Sequence, residues 1–95
     1  MYFLLFYETV DAFVEKRAPF RATHLAHAQA AVAAGDLLLG GALEEPADKA
    51  VLLFQGTDRS VAANFAQNDP YVRQGLIKKW EVRPWKVMVG TKMEN

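Results

Sequence analysis

Apolar residues occur in short runs along this chain, and the shape of each run predicts a β-strand. Tyr2 to Tyr7 are apolar at every position, which is typical of a strand whose two faces are both covered. Residues 36–43 and 50–55 form similar runs, whereas 77–89 alternates between apolar and polar positions. That alternation changes parity at Pro84, which predicts a bulge there. Four strands are therefore expected.

The segments between the predicted strands carry helix signals. Proline suits the first turn of a helix, serine suits the N-cap, and glycine favours the end of a helix. These signals predict a helix over 18–34 with Pro19 and Gly35 at its ends, a second helix over 61–68 after Ser60, and a short turn from Pro70 to Gly75.

The resulting order, βαββαβ, predicts an α+β fold in which two helices cover one face of a four-stranded antiparallel sheet. The strands are apolar on both sides, and a large bare apolar face is unusual on a monomer. Two sheets are therefore expected to pair face to face in a homodimer. The 52% share of hydrophobic residues agrees with such an interface. One domain is predicted over 1–90, with a loose tail over 91–95.

Composition narrows the class of protein. The chain has 11 basic and 11 acidic residues, so it lacks the positive charge of a nucleic-acid binder. The absence of cysteine excludes a disulfide framework, a thiolate nucleophile and cysteine-based metal sites. No apolar run approaches the ~20 residues of a membrane span, and the apolar start lacks the basic region of a signal peptide. A cytoplasmic protein that binds neither nucleic acid nor membrane is expected.

Proton transfer near neutral pH has few side chains to use, because the chain has only two histidines. On a helical wheel the buried stripe of the first helix is predicted as Leu25, Ala28 and Val32, with His24 on its border. Two interpretations stay open for His24. It is either a base that reaches a cleft or a helix-edge histidine bonded to a backbone carbonyl.

Basic residues are aligned with His24. Arg17, Arg21 and His24 have i, i+4, i+7 spacing, and they form one row near the positive helix end if the helix already includes Arg17. Such a row can bind an anion or a phenolate, and solvated arginines are the alternative. His27 lies three residues after His24, but a metal needs more ligands than two histidines, so no metal is predicted.

Asp69 precedes Pro70 at a predicted helix start, where its carboxylate is a good N-cap. The same carboxylate, as an alternative, orients His24 and favours the imidazolium that forms during proton transfer. Gly40 and Gly41 either form an ordinary bulge or let a flat ligand approach the strand. The pattern decides neither question.

Four segments together resemble a known family over nearly the whole chain. The Asp-Pro-Tyr segment with its following glycine, in register with an upstream Arg-x-x-His, is the most specific of them. The segments are Arg21-Ala22-Thr23-His24-Leu25, Gly35-Asp36-Leu37-Leu38 with Gly41, Asp69-Pro70-Tyr71 with Gly75, and Val82-Arg83-Pro84-Trp85. On these segments the chain is identified as a member of the YciI-like (YCII-related) family of small dimeric α+β barrel proteins.

The resemblance implies a sheet-paired ferredoxin-like dimer with a His–Asp pair in a cleft, which assigns those roles to His24 and Asp69. The family's usual proline after the strand glycine is replaced here by Ala42. One branch is similar to dehydrochlorinases that remove chloride from chlorinated hydroxyhydroquinones in the degradation of aromatic compounds. That branch implies a small aromatic substrate and a cofactor-independent lyase.

In that chemistry His24 is expected to be the base and Asp69 its orienter. The other predicted site residues bind the substrate: Arg17 or Arg21 holds an oxyanion or the leaving chloride, His27 or Tyr71 is an auxiliary proton donor, and Gly41 forms part of the pocket wall. The alternatives are a muconolactone-type isomerase, a cofactor-free monooxygenase, or a non-catalytic module that binds a small ligand.

Overall fold

The structure is a computed structural model that describes residues 1–90, so the predicted tail over 91–95 lies outside the described residues. The elements are β1 (Tyr2–Thr9), α1 (Phe13–Lys16), α2 (Arg21–Ala33), β2 (Leu37–Ala42), β3 (Lys49–Gln55), α3 (Ser60–Asn68), α4 (Pro70–Arg73) and β4 (Ile77–Trp85). A 3-10 turn, Ala18–Phe20, precedes α2. None of the helices in this part of the chain has the length and apolar character needed to cross a membrane.

The four strands form one antiparallel sheet in the order β2-β3-β1-β4. β1 lies in the interior, where Leu5 pairs with Leu52 of β3 on one side and Val82 of β4 on the other. This order is that of a βαββαβ chain whose helices cover one face of the sheet. The α+β, ferredoxin-like prediction is confirmed, while the pairing of two sheets in a dimer stays a prediction.

The core lies between the sheet and α3. β1 points Phe3, Leu5 and Tyr7 toward the helices, and each of these side chains is buried. α3 meets them with its own buried face, on which the ring of Phe65 lies 5.2 Å from the ring of Phe54. Full burial of one such side chain contributes about 1.5–3 kcal/mol, so this layer accounts for much of the attachment of α3.

α2 packs against the sheet less closely than α3, and none of its residues is fully buried. Its half-buried row is His24, His27, Ala28 and Ala31, which have i, i+3, i+4, i+7 spacing. All four of these side chains are short or polar. The helix therefore does not press a continuous apolar face into the core.

The predicted buried stripe of α2 is wrong at two of its three positions. Leu25 and Val32 are 42% and 49% exposed, and only Ala28 faces inward. The sheet residues below this part of α2 include Gly40 and Ala50, whose small size leaves a gap between helix and sheet. Leu25 and Val32 line this gap but do not fill it.

The two predicted strand irregularities are displaced. The register shift in β2 lies between Leu37 and Leu39, before the glycine pair. The register shift in β4 lies near Ile77, opposite the junction of Glu8 and Thr9, while pairing runs without interruption through Pro84. Proline needs no bulge there, because β4 is an edge strand whose outer N–H groups have no strand partner. β4 also ends at residue 85, earlier than predicted.

The helix-end signals are mostly confirmed. Gly35 and Gly75 follow α2 and α4 in the left-handed conformation, with φ of 83° and 75°. Asp69 caps α4 by accepting a backbone N–H. The predicted cap by Ser60 is wrong, because Ser60 is already the first residue of α3 and its N–H donates to the Asp58 carboxylate at 2.7 Å.

Within residues 1–90 the helices pack on the Phe3 and Leu5 side of the sheet, and none covers the opposite face. Paired residues share a face, so Leu4 lies beside Leu53 and Phe6 lies beside Val51 on this side. Leu39 of β2 extends the same face and is 69% exposed. We call this surface the uncovered face.

Candidate active site

The side chains of His24 and Asp69 meet although the residues are 45 positions apart in the chain. Nδ1 of His24 lies 2.8 Å from Oδ1 of Asp69. The contact forms because α2 holds His24 on its inward row, while the start of α4, which packs against α2, holds Asp69. The structure thus brings together the two residues that the sequence singled out, and their catalytic role stays a prediction.

Asp69 is fully buried and its carboxylate accepts three hydrogen bonds. Oδ1 accepts from the backbone N–H of Tyr71 at 3.0 Å as well as facing His24, and Oδ2 accepts from the Tyr7 hydroxyl at 2.7 Å. The two interpretations of Asp69 are therefore both correct as geometry. One carboxylate caps α4 and contacts the imidazole.

The contact with Asp69 fixes the tautomer of the neutral His24 ring. A carboxylate only accepts hydrogen bonds, so Nδ1 carries the hydrogen and Nε2 carries the free lone pair. Nε2 makes no hydrogen bond to residues 1–90, and the side chain is 16% exposed. A base at Nε2 would thus be available to a ligand at the surface of the site.

Aromatic contacts hold the plane of the His24 ring. The ring of Tyr71 stacks on it with 3.8 Å between centroids and 7° between planes. Phe13 in turn meets Tyr71 edge-on at 5.2 Å. Rotation of the imidazole would break the stack and the bond to Asp69 together, so the site is preorganised.

Tyr7 is a member of this cluster that the sequence analysis missed. Its phenol is buried in the core face of β1 and donates to Asp69. Burial raises the pKa of Tyr7 first of all, and the charge of Asp69 and the hydrogen bond to it add to that effect. Tyr7 therefore stays a neutral hydrogen-bond donor at physiological pH. A tyrosine at a buried strand position was the available signal, because a buried hydroxyl needs a partner.

A cleft of about 400 Å³ lies between α2 and the β2–β3 side of the sheet, and His24 forms part of its wall. This volume is within the ~300–1,000 Å³ typical of small-molecule sites. The lining is mainly apolar, with polar groups at the end where His24 lies. Other residues in the wall are Tyr7, Phe13, Arg17, Arg21, Leu25, Gly41 and Tyr71.

Arg17 and Arg21 both line the cleft, but the single helical row predicted for them with His24 does not form. Arg17 is not part of α2, because the 3-10 turn intervenes, and its guanidinium instead lies 5.5 Å above the ring of Phe13. Neither arginine forms an ion pair with a carboxylate of the described residues. Two guanidinium groups are therefore available to an anionic ligand.

His27 lies elsewhere. Its Nε2 donates to the backbone carbonyl of Phe65 at 2.9 Å, and its ring stacks on Phe65 with 4.3 Å between centroids. One interpretation of His24 was a helix-edge histidine bonded to a backbone carbonyl. His27 has that arrangement instead, and it does not line the cleft. We therefore leave His27 out of the proposed site. Within residues 1–90 no group of three or more His, Cys, Asp or Glu side chains is arranged to hold a metal ion.

Comparison with known proteins decides the family. The sequence profile of the YCII-related domain matches residues 1–86. The chain belongs to the YCII-related family. The family prediction is confirmed over nearly the whole described part of the chain. No curated protein sequence gives a significant match.

A solved structure of similar fold carries the name of an enzyme. It is 5-chloro-2-hydroxyhydroquinone dehydrochlorinase from Burkholderia phenoliruptrix in complex with 2,5-dihydroxybenzoquinone. The two structures align with a TM-score of 0.75 and 22% sequence identity, and the alignment covers 90% of this chain and 94% of the dehydrochlorinase chain. At this identity the likeness establishes the shared fold of the YCII-related chain, and the reaction is a separate question.

Proposed function

We propose that this YCII-related protein is a cofactor-independent lyase that eliminates chloride from a chlorinated hydroxyhydroquinone or a similar polyhydroxylated aromatic. The observation that carries the proposal is the 2.8 Å contact between His24 and the buried Asp69 in the wall of a cleft. The dehydrochlorinase of similar fold, with its bound dihydroxybenzoquinone, supports the substrate class.

The reaction needs one group that both accepts and returns protons. Loss of HCl turns two phenol groups of the substrate into carbonyls, and the carbon that carried chlorine ends with hydrogen. The two electrons that the phenols give up need no external acceptor, because they reduce the carbon–chlorine bond as chloride leaves. An imidazole suits both proton steps near neutral pH, and Nε2 of His24 is the nitrogen free to perform them.

Asp69 would stabilise the imidazolium formed when His24 takes a phenolic proton, because the carboxylate is held 2.8 Å from Nδ1. Arg17 and Arg21 would bind the phenolate oxygen or the departing chloride at the same end of the cleft. Gly41 contributes backbone to the wall, and Tyr71 holds the base in place by stacking. Each proposed site residue thus has a distinct task.

Purified protein should release chloride from 5-chloro-2-hydroxyhydroquinone without any added cofactor, with quinone absorbance rising in parallel. His24→Ala should lower kcat by ~10²-fold or more, because the reaction loses its general base. Absence of chloride release across a panel of chlorinated hydroquinones would refute the proposal. Oxygen uptake or lactone isomerisation would then identify a monooxygenase or an isomerase, and ligand binding without turnover would identify a non-catalytic module.

We also propose that two copies of the chain pair through the uncovered face. Phe6 and Val51 lie side by side at its centre and are only half-buried within the described chain. Pairing would remove this apolar surface from water, which stabilises the dimer by about 25 cal/mol for each Å² buried. The pairing would also fix the sheet that supports the cleft from behind.

A further inference from the structure

We propose that Tyr7 is a positioning residue of the site, whose hydroxyl holds the Asp69 carboxylate so that His24 keeps its Nδ1–H tautomer and presents Nε2 to the cleft. This inference rests on the proposed function of the same cleft for its catalytic consequence. Its structural part, the control of one imidazole by one phenol, stands on the hydrogen bonds alone.

Without Tyr7 the Oδ2 side of the Asp69 carboxylate would lose its hydrogen-bond donor. The backbone N–H of Tyr71 reaches only Oδ1, so it leaves the carboxylate free to turn about its own axis. The 2.7 Å bond from Tyr7 to Oδ2 removes that freedom. Oδ1 is then directed at Nδ1 of His24, and the carboxylate has one donor or more on each oxygen.

The strand fixes Tyr7 more firmly than a surface residue would be fixed. Tyr7 pairs with Ala50 on β3 and with Trp80 on β4, in the interior of the sheet. Its side chain is 2% exposed, so neither solvent nor another rotamer competes for the hydroxyl. Burial and the charge of Asp69 raise the pKa of Tyr7, so the phenol stays protonated and continues to donate to Asp69.

Core packing alone is the competing explanation, and Tyr71 provides the matched control. Both tyrosines are buried, but the hydroxyl of Tyr71 has no hydrogen-bond partner in the described chain, whereas that of Tyr7 holds Asp69. Tyr71→Phe keeps the ring on His24 and the backbone N–H on Asp69. It thus removes a buried hydroxyl without touching the carboxylate.

The test is the imidazole ¹H–¹⁵N NMR spectrum of wild type, Tyr7→Phe and Tyr71→Phe, together with kcat and KM of wild type and Tyr7→Phe for chloride release. The chain has only two histidines, and the geometry assigns them opposite tautomers, Nδ1–H for His24 and Nε2–H for His27. Tyr7→Phe should convert His24 to a mixture of tautomers while His27 is unchanged. It should also lower kcat about tenfold with KM little changed. Tyr71→Phe should leave both tautomers in place.

A Tyr7→Phe spectrum and kcat equal to wild type would overturn the inference and leave Tyr7 as a packing residue. If Tyr7→Phe does not fold, fluorotyrosine at position 7 is the second variant, because it keeps the volume of the side chain and donates a stronger hydrogen bond. It should shift the His24 Nδ1 proton signal. An unchanged signal would overturn the inference. The spectrum requires no substrate. Failure of wild type to release chloride would therefore refute the proposed function, while the spectrum still decides the role of Tyr7.

Discussion

Asp69→Asn separates the two tasks of Asp69, because asparagine is as good an N-cap as aspartate but carries no charge. The substitution should keep α4 capped through the amide oxygen and remove the negative charge beside His24. The two hydrogen bonds to the Oδ1 position become neutral ones, while the amide nitrogen at the Oδ2 position donates to the Tyr7 hydroxyl instead of accepting from it, and each of the three contacts is weaker by about 1 kcal/mol. Relief from burying a charge offsets part of that loss, so the free energy of unfolding should fall by only about 1–2 kcal/mol.

The cost to catalysis should be larger than the cost to stability. A unit positive charge that develops on His24 loses its partner at 2.8 Å. At the effective dielectric of a partly buried site this interaction is worth about 3–4 kcal/mol, which corresponds to a loss of ~10²–10³-fold in kcat. The assay is initial-rate chloride release with a chlorinated hydroxyhydroquinone, alongside urea unfolding of the same preparation.

Asp58→Asn is the matched control. Asp58 also accepts a backbone N–H near a helix start, at 2.7 Å from the nitrogen of Ser60, but it is exposed and lies outside the cleft wall. The Asp58→Asn protein should have the same kcat as wild type. A folded Asp69→Asn protein with kcat within about threefold of wild type would refute the reasoning, because the carboxylate would then be a cap and no more.

Three further predictions concern the scaffold. Phe6→Lys on the uncovered face should shift sedimentation equilibrium from dimer to monomer, and a wild-type monomer would contradict the proposed pairing. The raised pKa of Tyr7 means that the folded chain keeps a proton that the unfolded chain loses above pH ~10, so stability should fall by up to about 1.4 kcal/mol per pH unit above that value. This alkaline loss should be reduced in Tyr7→Phe, and an equal loss in both proteins would contradict it. The hydrogen bonds from Ser60 lower the pKa of Asp58, so its stabilising effect should be present at pH 7 and vanish as the pH falls below 3.8, as measured by comparing wild type with Asp58→Ala.

Features that depend on local sequence were predictable. The apolar parity of β1, the positive φ at Gly35 and Gly75, and the cap by Asp69 each depend on a few neighbouring residues. They followed from strand and helix-end rules that need no knowledge of tertiary contacts. The order of these elements was then sufficient for the fold class.

Features that depend on tertiary contacts were not predictable from the pattern. The inward row of α2 is set by what lies beneath it: Ala28 fits the shallow space above the sheet, and His27 finds a carbonyl on α3. A helical wheel ranks residues by polarity, so it placed Leu25 and Val32 inside and left His24 on the border. Tyr7 was overlooked for the same reason, because alternation counts tyrosine as apolar and ignores the partner that its hydroxyl requires.

The central claim is that the imidazole of His24 moves the protons of the reaction. The most direct measurement is the rate of chloride release by His24→Ala with and without added imidazole, on protein shown to be folded. His24→Ala should lose ~10²-fold or more in rate, and added imidazole should partly restore the rate in proportion to its concentration. Chloride release at the wild-type rate by His24→Ala would contradict it.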